Sequence, residues 1–216
     1  SNNIETKTRL KERKVILTPL EKRIGNDFQK YRQFRTSSWY EAMKIKYSEK
    51  ILSDDHAFGF ILNVMETQRV EQLGRKIWKG MDDEIIFNYG YMLVSRPQLH
   101  TVYGKARIVE AFYQYFMFGA IKGEIQSSHF EKIKKASTFA KKIVNESIEN
   151  NQKTSWIEKN VTQIIKILEI DSLLTIPISV AFMKAGMALS EEELRKVLKI
   201  IAKNKEGDFG SIDPSS

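Results

Sequence analysis

Residues 97–123 read PQLHTVYGKARIVEAFYQYFMFGAIKG, and from Ile108 to Ile121 nearly every side chain is apolar. A helix that is apolar around most of its circumference belongs inside a protein rather than on its surface. Pro97 suits a first helical position, where its missing N–H is not needed. Against this apolar ground run five polar residues at steps of three and four: His100, Tyr103, Arg107, Glu110 and Gln114. On a helix those steps lie along one face. The stretch therefore predicts a buried central helix over about 97–122, marked by a single polar stripe.

On either side the chain continues in helical language. Thr18-Pro19 with Glu21 forms a capping box, and Leu20, Ile24, Phe28 and Tyr31 recur at helical spacing. Ser37 or Ser38 starts a second helix over 39–52, and residues 53–55 cap a long third one reaching about Lys79. Gly59 and Gly74 within it mark close helix packing or a break, since each costs roughly 1 kcal/mol relative to Ala. Asp82, Asp83 and Glu84 place negative charge where the next helix dipole favours it, and 85–94 is read as helix. After Gly123, which is read as closing the central helix, Ser127-Ser128 opens a helix to about Asn150. Thr154 or Ser155 caps another to Glu169. Two more helices follow, over 173–189 with a bend at Pro177 and from the acidic run 190–193 onward.

The expected fold is thus all-α, a single bundle of eight or nine helices. Residues 1–17 are read as a basic flexible arm, 18–203 as the helical domain with a subdivision near 150–153, and 204–216 as a disordered tail. At 42% hydrophobic and 29% charged, the 216-residue chain has an ordinary globular composition. It contains no cysteine, which removes disulfides, thiolate nucleophiles and Cys-ligated zinc. Without an initiator Met, it is read as a piece of a longer protein.

The net charge of +8 is unevenly spread, with 13 Lys/Arg against 6 Asp/Glu in residues 1–50 and 22 against 21 in the remainder. Such asymmetry points to an anionic partner for the N-terminal quarter. The expected nucleic-acid-binding residues are Arg9, Lys11, Arg13, Lys14, Lys22, Arg23, Lys30, Arg32, Arg35, Lys44 and Lys46. Aromatic residues are interleaved with them, and their helical spacing favours core positions for most. A bland alternative is a solvated basic arm.

The polar stripe is the candidate catalytic set: His100, Tyr103, Arg107 and Glu110. His100 can move protons near neutral pH, and Arg107 can hold a phosphate in two-pronged fashion. Tyr103 or Lys105 can add donors, and Glu110 can orient Arg107 from the next turn. Together these suit metal-independent cleavage of RNA. The competing reading is a face that meets solvent, or a structural Arg107–Glu110 pair. Residues 54–56 and 82–84 resemble metal-ligand clusters, but adjacent helical residues diverge, so capping explains them better. His129 is assigned no role. No phosphate loop, dinucleotide fingerprint, zinc pair or nucleophile elbow is present, so neither a metal nor a cofactor is expected.

These observations lead to a basic helical module binding a polyanion, RNA first, with a ribonuclease effector or toxin domain as the enzymatic form. It would act in the cytoplasm, delivered there as part of a longer secreted protein. A second reading is a non-enzymatic adaptor or assembly subunit docking an acidic protein. A third is a helical toxin that inserts into membranes conditionally, since no stretch is a permanent span.

Overall fold

In the computed structural model, the residues described are 7–9, 11–17, 19, 25–50, 55–176, 195, 196 and 199. They form six α-helices: α1 (Asp27–Tyr47), α2 (Ala57–Ile77), α3 (Asp82–Ser95), α4 (Ala106–Phe118), α5 (Ser127–Glu149) and α6 (Thr154–Leu168). Short 3-10 turns at Lys79–Met81 and Leu99–Thr101 precede α3 and α4. Before α1, strands β1 (Lys7–Arg9) and β2 (Lys14–Ile16) pair antiparallel, with Lys7 opposite Ile16 and Arg9 opposite Lys14. The domain is all-α, with six helices among the described residues where the sequence suggested eight or nine.

Part of that difference has a local cause. The helices expected over 18–35 and 39–52 are one helix, α1, beginning at Asp27. Asn26 and Gln29 form a reciprocal capping box: the Gln29 N–H donates to Asn26 Oδ1 at 2.9 Å and the Asn26 N–H to Gln29 Oε1 at 3.2 Å. Serines 37 and 38 do not interrupt the helix, and the Ser38 hydroxyl donates back to the Phe34 carbonyl at 2.7 Å. The proposed cap at Thr18, the helix over most of 173–189, the opening of the last helix at 190–193 and the tail from 204 lie outside the described residues.

α2 starts at Ala57 after His56, which makes no side-chain cap. Two of its orphan N–H groups are met from far along the chain. Ala57 donates to the Leu174 carbonyl at 2.9 Å and Phe58 to that of Ser172 at 3.1 Å. The returning segment seals a helix start that no local residue caps. Gly74 settles the glycine question in favour of close packing, because a Cβ there would stand 2.5 Å from Cζ2 of Trp39 on α1.

The central helix is shorter than its apolar pattern. Leu99–Thr101 is a separate turn, Gly104 takes φ +58°, and α4 runs only from Ala106 to Phe118. Gly119, at φ +71°, closes it rather than Gly123, which turns the chain four residues later at φ +95°. Every residue from Val109 to Ile121 is buried. Phe112 stacks on Phe116 at 5.5 Å, and Phe118 meets both Tyr89 and Tyr113 edge-on. Each fully buried aromatic contributes about 1.5–3 kcal/mol. α4 packs against α2, α3 and α5, and α2 is nearly as enclosed, so the bundle has two inner helices. α5 and α6 form a tight antiparallel hairpin through 150–153, where Asn151 adopts φ +50°.

Candidate functional site

The polar stripe divides at the start of α4. Its upper half is a buried network. Glu110 and Gln114 have no solvent exposure, and Arg96, from the end of α3, is 3% exposed. Arg96 grips Glu110 with two prongs, Nε to Oε1 at 2.9 Å and Nη2 to Oε2. The same guanidinium lies 4.4 Å over the Tyr113 ring. Gln114 donates to Glu110 at 2.6 Å and to the Pro97 carbonyl at 3.0 Å, and accepts from the Lys122 N–H at 2.7 Å. Lys122 Nζ donates to the carbonyls of Val94 and Arg96 at 2.7 and 2.6 Å. Burial works against the Arg96 charge, but the hydrogen bonds and carboxylate of Glu110 outweigh it and hold the guanidinium above its ordinary pKa. Burial pushes Lys122 below its ordinary value, against the attraction of Glu110.

This network fastens the α3–α4 connection and the 120–122 loop onto α4. It occupies the carboxylate of Glu110, which therefore pairs with Arg96 and not with Arg107 as the sequence spacing suggested. Arg96 was not singled out, because it lies 14 residues from Glu110 and outside the helix that carries the stripe.

The lower half is on the surface. His100 is exposed in its 3-10 turn, and Tyr103 is 85% exposed on the connection to α4. Arg107 is half-buried in the first turn of α4, its Nε donating to the Val102 carbonyl at 2.9 Å. The four expected catalytic residues are thus not gathered on one helical face.

Arg107 instead opens into a cleft of about 630 Å³. The start of α4, residues 124–126, the first turns of α5 and the end of α6 enclose it. Four basic side chains line it, Lys105, Arg107, His129 and Lys132, together with Glu124 and Glu169. Ile108, Ile125 and Leu168 supply apolar wall. Lys132 Nζ donates to Glu169 Oε2 at 2.6 Å, and Lys105 Nζ to the Glu169 backbone carbonyl at 3.2 Å. The Lys132 hydrogen bond and charge hold the Glu169 carboxyl below its ordinary pKa. Arg107 Nη1 and Nη2 have no hydrogen-bond partner among the described residues. His129 and Lys132 were missed in the sequence because no spacing links them to Arg107. Only the fold brings α5 beside α4.

The family models, the curated proteins and the solved structures contain no match to this chain.

In the basic N-terminal quarter, the cations of α1 are largely engaged within the molecule. Arg32 Nε donates to Glu84 at 2.8 Å, and its guanidinium sits 3.9 Å over the Phe87 ring. Arg35 lies 3.5 Å from the same Glu84, Lys30 3.6 Å from Asp27, and Lys44 3.0 Å from Glu41. Arg32 and Arg35 thus join α1 to the acidic first turn of α3. Lys46 is exposed beside the Tyr47 ring. Lys11, Arg13 and Lys14 project around the β1–β2 turn, exposed and without an acidic partner among the described residues. Arg9 lies in β1, and Lys22 and Arg23 lie outside the described residues. Of the aromatics, Phe28 and Tyr31 are exposed, while Trp39 packs on the core and Tyr40 shares a 2.6 Å hydrogen bond with Thr67.

A second basic surface lies on the hairpin of α5 and α6. Lys134, Lys135, Lys141 and Lys142 are exposed on α5, and Lys159 and Lys166 on α6. Glu146 lies 3.7 Å from Lys142. Lys134, Lys135, Lys159 and Lys166 have no acidic partner within 4.0 Å among the described residues. Composition hid this surface, because residues 51–216 are nearly neutral as a whole, with 22 Lys/Arg against 21 Asp/Glu. Among the described residues no three His, Asp or Glu side chains converge as a metal site, and no helix is long and apolar enough to cross a membrane.

Proposed function

We propose that this chain is a binding module for a polyanion, with RNA the first candidate, and that its contact surface is formed by the α5–α6 hairpin and the basic β1–β2 turn. The observation that carries this reading is the set Lys134, Lys135, Lys159 and Lys166, exposed on α5 and α6 with no acidic partner within 4.0 Å among the described residues. A cation already paired gives up its partner before it can neutralise a phosphate, as Arg32 and Arg35 would have to do. An unpaired surface lysine gives up only water and counterions. The surface is lysine-rich, which suits tracking a phosphate backbone rather than reading bases. A ribonuclease needs an accessible proton-transfer pair, and the buried ion pair of Glu110 removes one member of the expected set. Binding is therefore favoured over cleavage.

The test is fluorescence anisotropy with a labelled single-stranded RNA across a salt series, followed by a denaturing gel. Binding should weaken linearly in log–log form, with a slope of about −0.7 per phosphate contact. K134E/K135E/K159E/K166E should weaken binding and flatten that slope, while the RNA stays intact. No binding at low salt would overturn the polyanion reading. Binding to polyglutamate but not to RNA would favour the adaptor reading, and discrete RNA fragments would restore the enzymatic one.

A further inference from the structure

We propose that the cleft between α4, α5 and the end of α6 is a binding site for a phosphate monoester, anchored by Arg107. This inference is independent of the RNA-binding surface, which lies on other residues.

Arg107 stands half-buried in the first turn of α4. Its Nε is spent on the Val102 carbonyl at 2.9 Å, a bond that orients the guanidinium at the cleft wall and leaves both Nη groups free of protein partners among the described residues. A fixed guanidinium with open Nη donors matches two oxygens of a phosphate or carboxylate. The surrounding charges favour the doubly charged ligand. Lys105, Lys132 and His129 face the same space, against the carboxylates of Glu124 and Glu169. Glu169 is already neutralised by Lys132 at 2.6 Å, and the backbone carbonyl of Glu169 positions Lys105. Arg107 and Lys105 therefore remain to meet the incoming anion, two cations against the one remaining carboxylate of Glu124. The first turn of α5, which no side chain caps, adds its positive end to this field.

The size of the site decides for an ester over the bare ion. A cleft of about 630 Å³ far exceeds the need of a phosphate group and falls in the range of small-molecule sites. The partly exposed Ile108 and Ile125 on its wall offer apolar surface for the organic part of the ligand. The same chemistry is presented by a free phosphomonoester and by the terminal phosphate of a nucleic-acid strand. A divalent cation is disfavoured, since four basic side chains surround two carboxylates, one of them already paired.

The experiment uses the full chain in backbone-amide NMR titrations with inorganic phosphate, sulfate and adenosine 5′-monophosphate. Two short RNAs of one sequence, one 5′-phosphorylated and one 5′-hydroxyl, are added in parallel. Saturable shifts confined to residues 104–108, 124–132 and 168–169 are expected, with the monophosphate binding more tightly than phosphate or sulfate. Arg107→Ala should weaken it by about tenfold or more, the usual effect of deleting a charge-assisted hydrogen bond. Lys105→Ala, at an exposed position, should also weaken it and guards against a folding defect in the Arg107 variant. Lys76→Ala, at an exposed position in the last turn of α2, should leave it unchanged. Preference for the phosphorylated RNA, lost in Arg107→Ala, would identify a strand terminus as the source. Equal binding of both RNAs alongside tight binding of the monophosphate would identify a free ester. Sulfate binding as tightly as the monophosphate, no saturable response, or full affinity in both cleft variants would overturn the proposal.

Discussion

Replacing Glu110 by Ala should destabilise this fold more than any surface substitution. Arg96 and Glu110 have side chains 2% and 0% exposed, so both charges were taken out of water on folding. Their pairing and the donation from Gln114 at 2.6 Å offset that cost. Deleting the carboxylate leaves a guanidinium buried without its counter-charge, which costs about 3–5 kcal/mol. Against a total stability of about 5–15 kcal/mol this is a large share. In a urea titration with a slope of about 2 kcal/mol/M, the midpoint should fall by roughly 2 M. Glu110→Gln keeps volume and an acceptor and should fall between Ala and the parent. The apolar pair R96M/E110L should cost much less than the sum of the two single substitutions, because no charge is then stranded. A loss below about 1 kcal/mol for Glu110→Ala, or strict additivity in the double variant, would refute the reasoning.

Three further outcomes follow from other contacts. Gly74→Ala places a Cβ 2.5 Å from the Trp39 ring and should cost about 1–3 kcal/mol through overpacking, partly offset by helix propensity, with a changed tryptophan emission as a second readout. Asn26→Ala removes the acceptor for the Gln29 N–H and should cost about 1 kcal/mol in urea denaturation. The Glu169 carboxyl is held below its ordinary pKa by Lys132, so its contribution is present above the usual carboxylate range and is lost as pH falls through the depressed folded value. In Lys132→Ala a side-chain carboxyl NMR titration should show Glu169 moving back towards the ordinary value, and an unmoved midpoint would refute the pair.

The apolar run from Ile108 to Ile121 showed in advance that this part of the chain is helical and buried, because a helix with no wet face has nowhere else to go. Acids at 82–84 likewise marked the start of α3, since helix dipoles act within the first turn. These are local effects, and local effects are legible along a chain. The limits of the central helix were less so: its apolar pattern continues to Ile121, while the backbone at Gly104 and Gly119 confines α4 to a shorter span.

What the sequence could not disclose were the partners of its charges. Steps of three and four made His100, Tyr103, Arg107 and Glu110 resemble one face, but that spacing holds only if one helix carries all four. Once Gly104 separates the 3-10 turn from α4, Glu110 faces Arg96 inside, and Arg107 faces His129 and Lys132 across a cleft. The same holds for the basic N-terminal quarter, whose net charge is a sum over residues and ignores where Glu84 lies. Charge and apolar period are properties of the chain. Whether a cation is spent or free depends on which helices the packing of α2 and α4 brings together, and only the tertiary structure decides that.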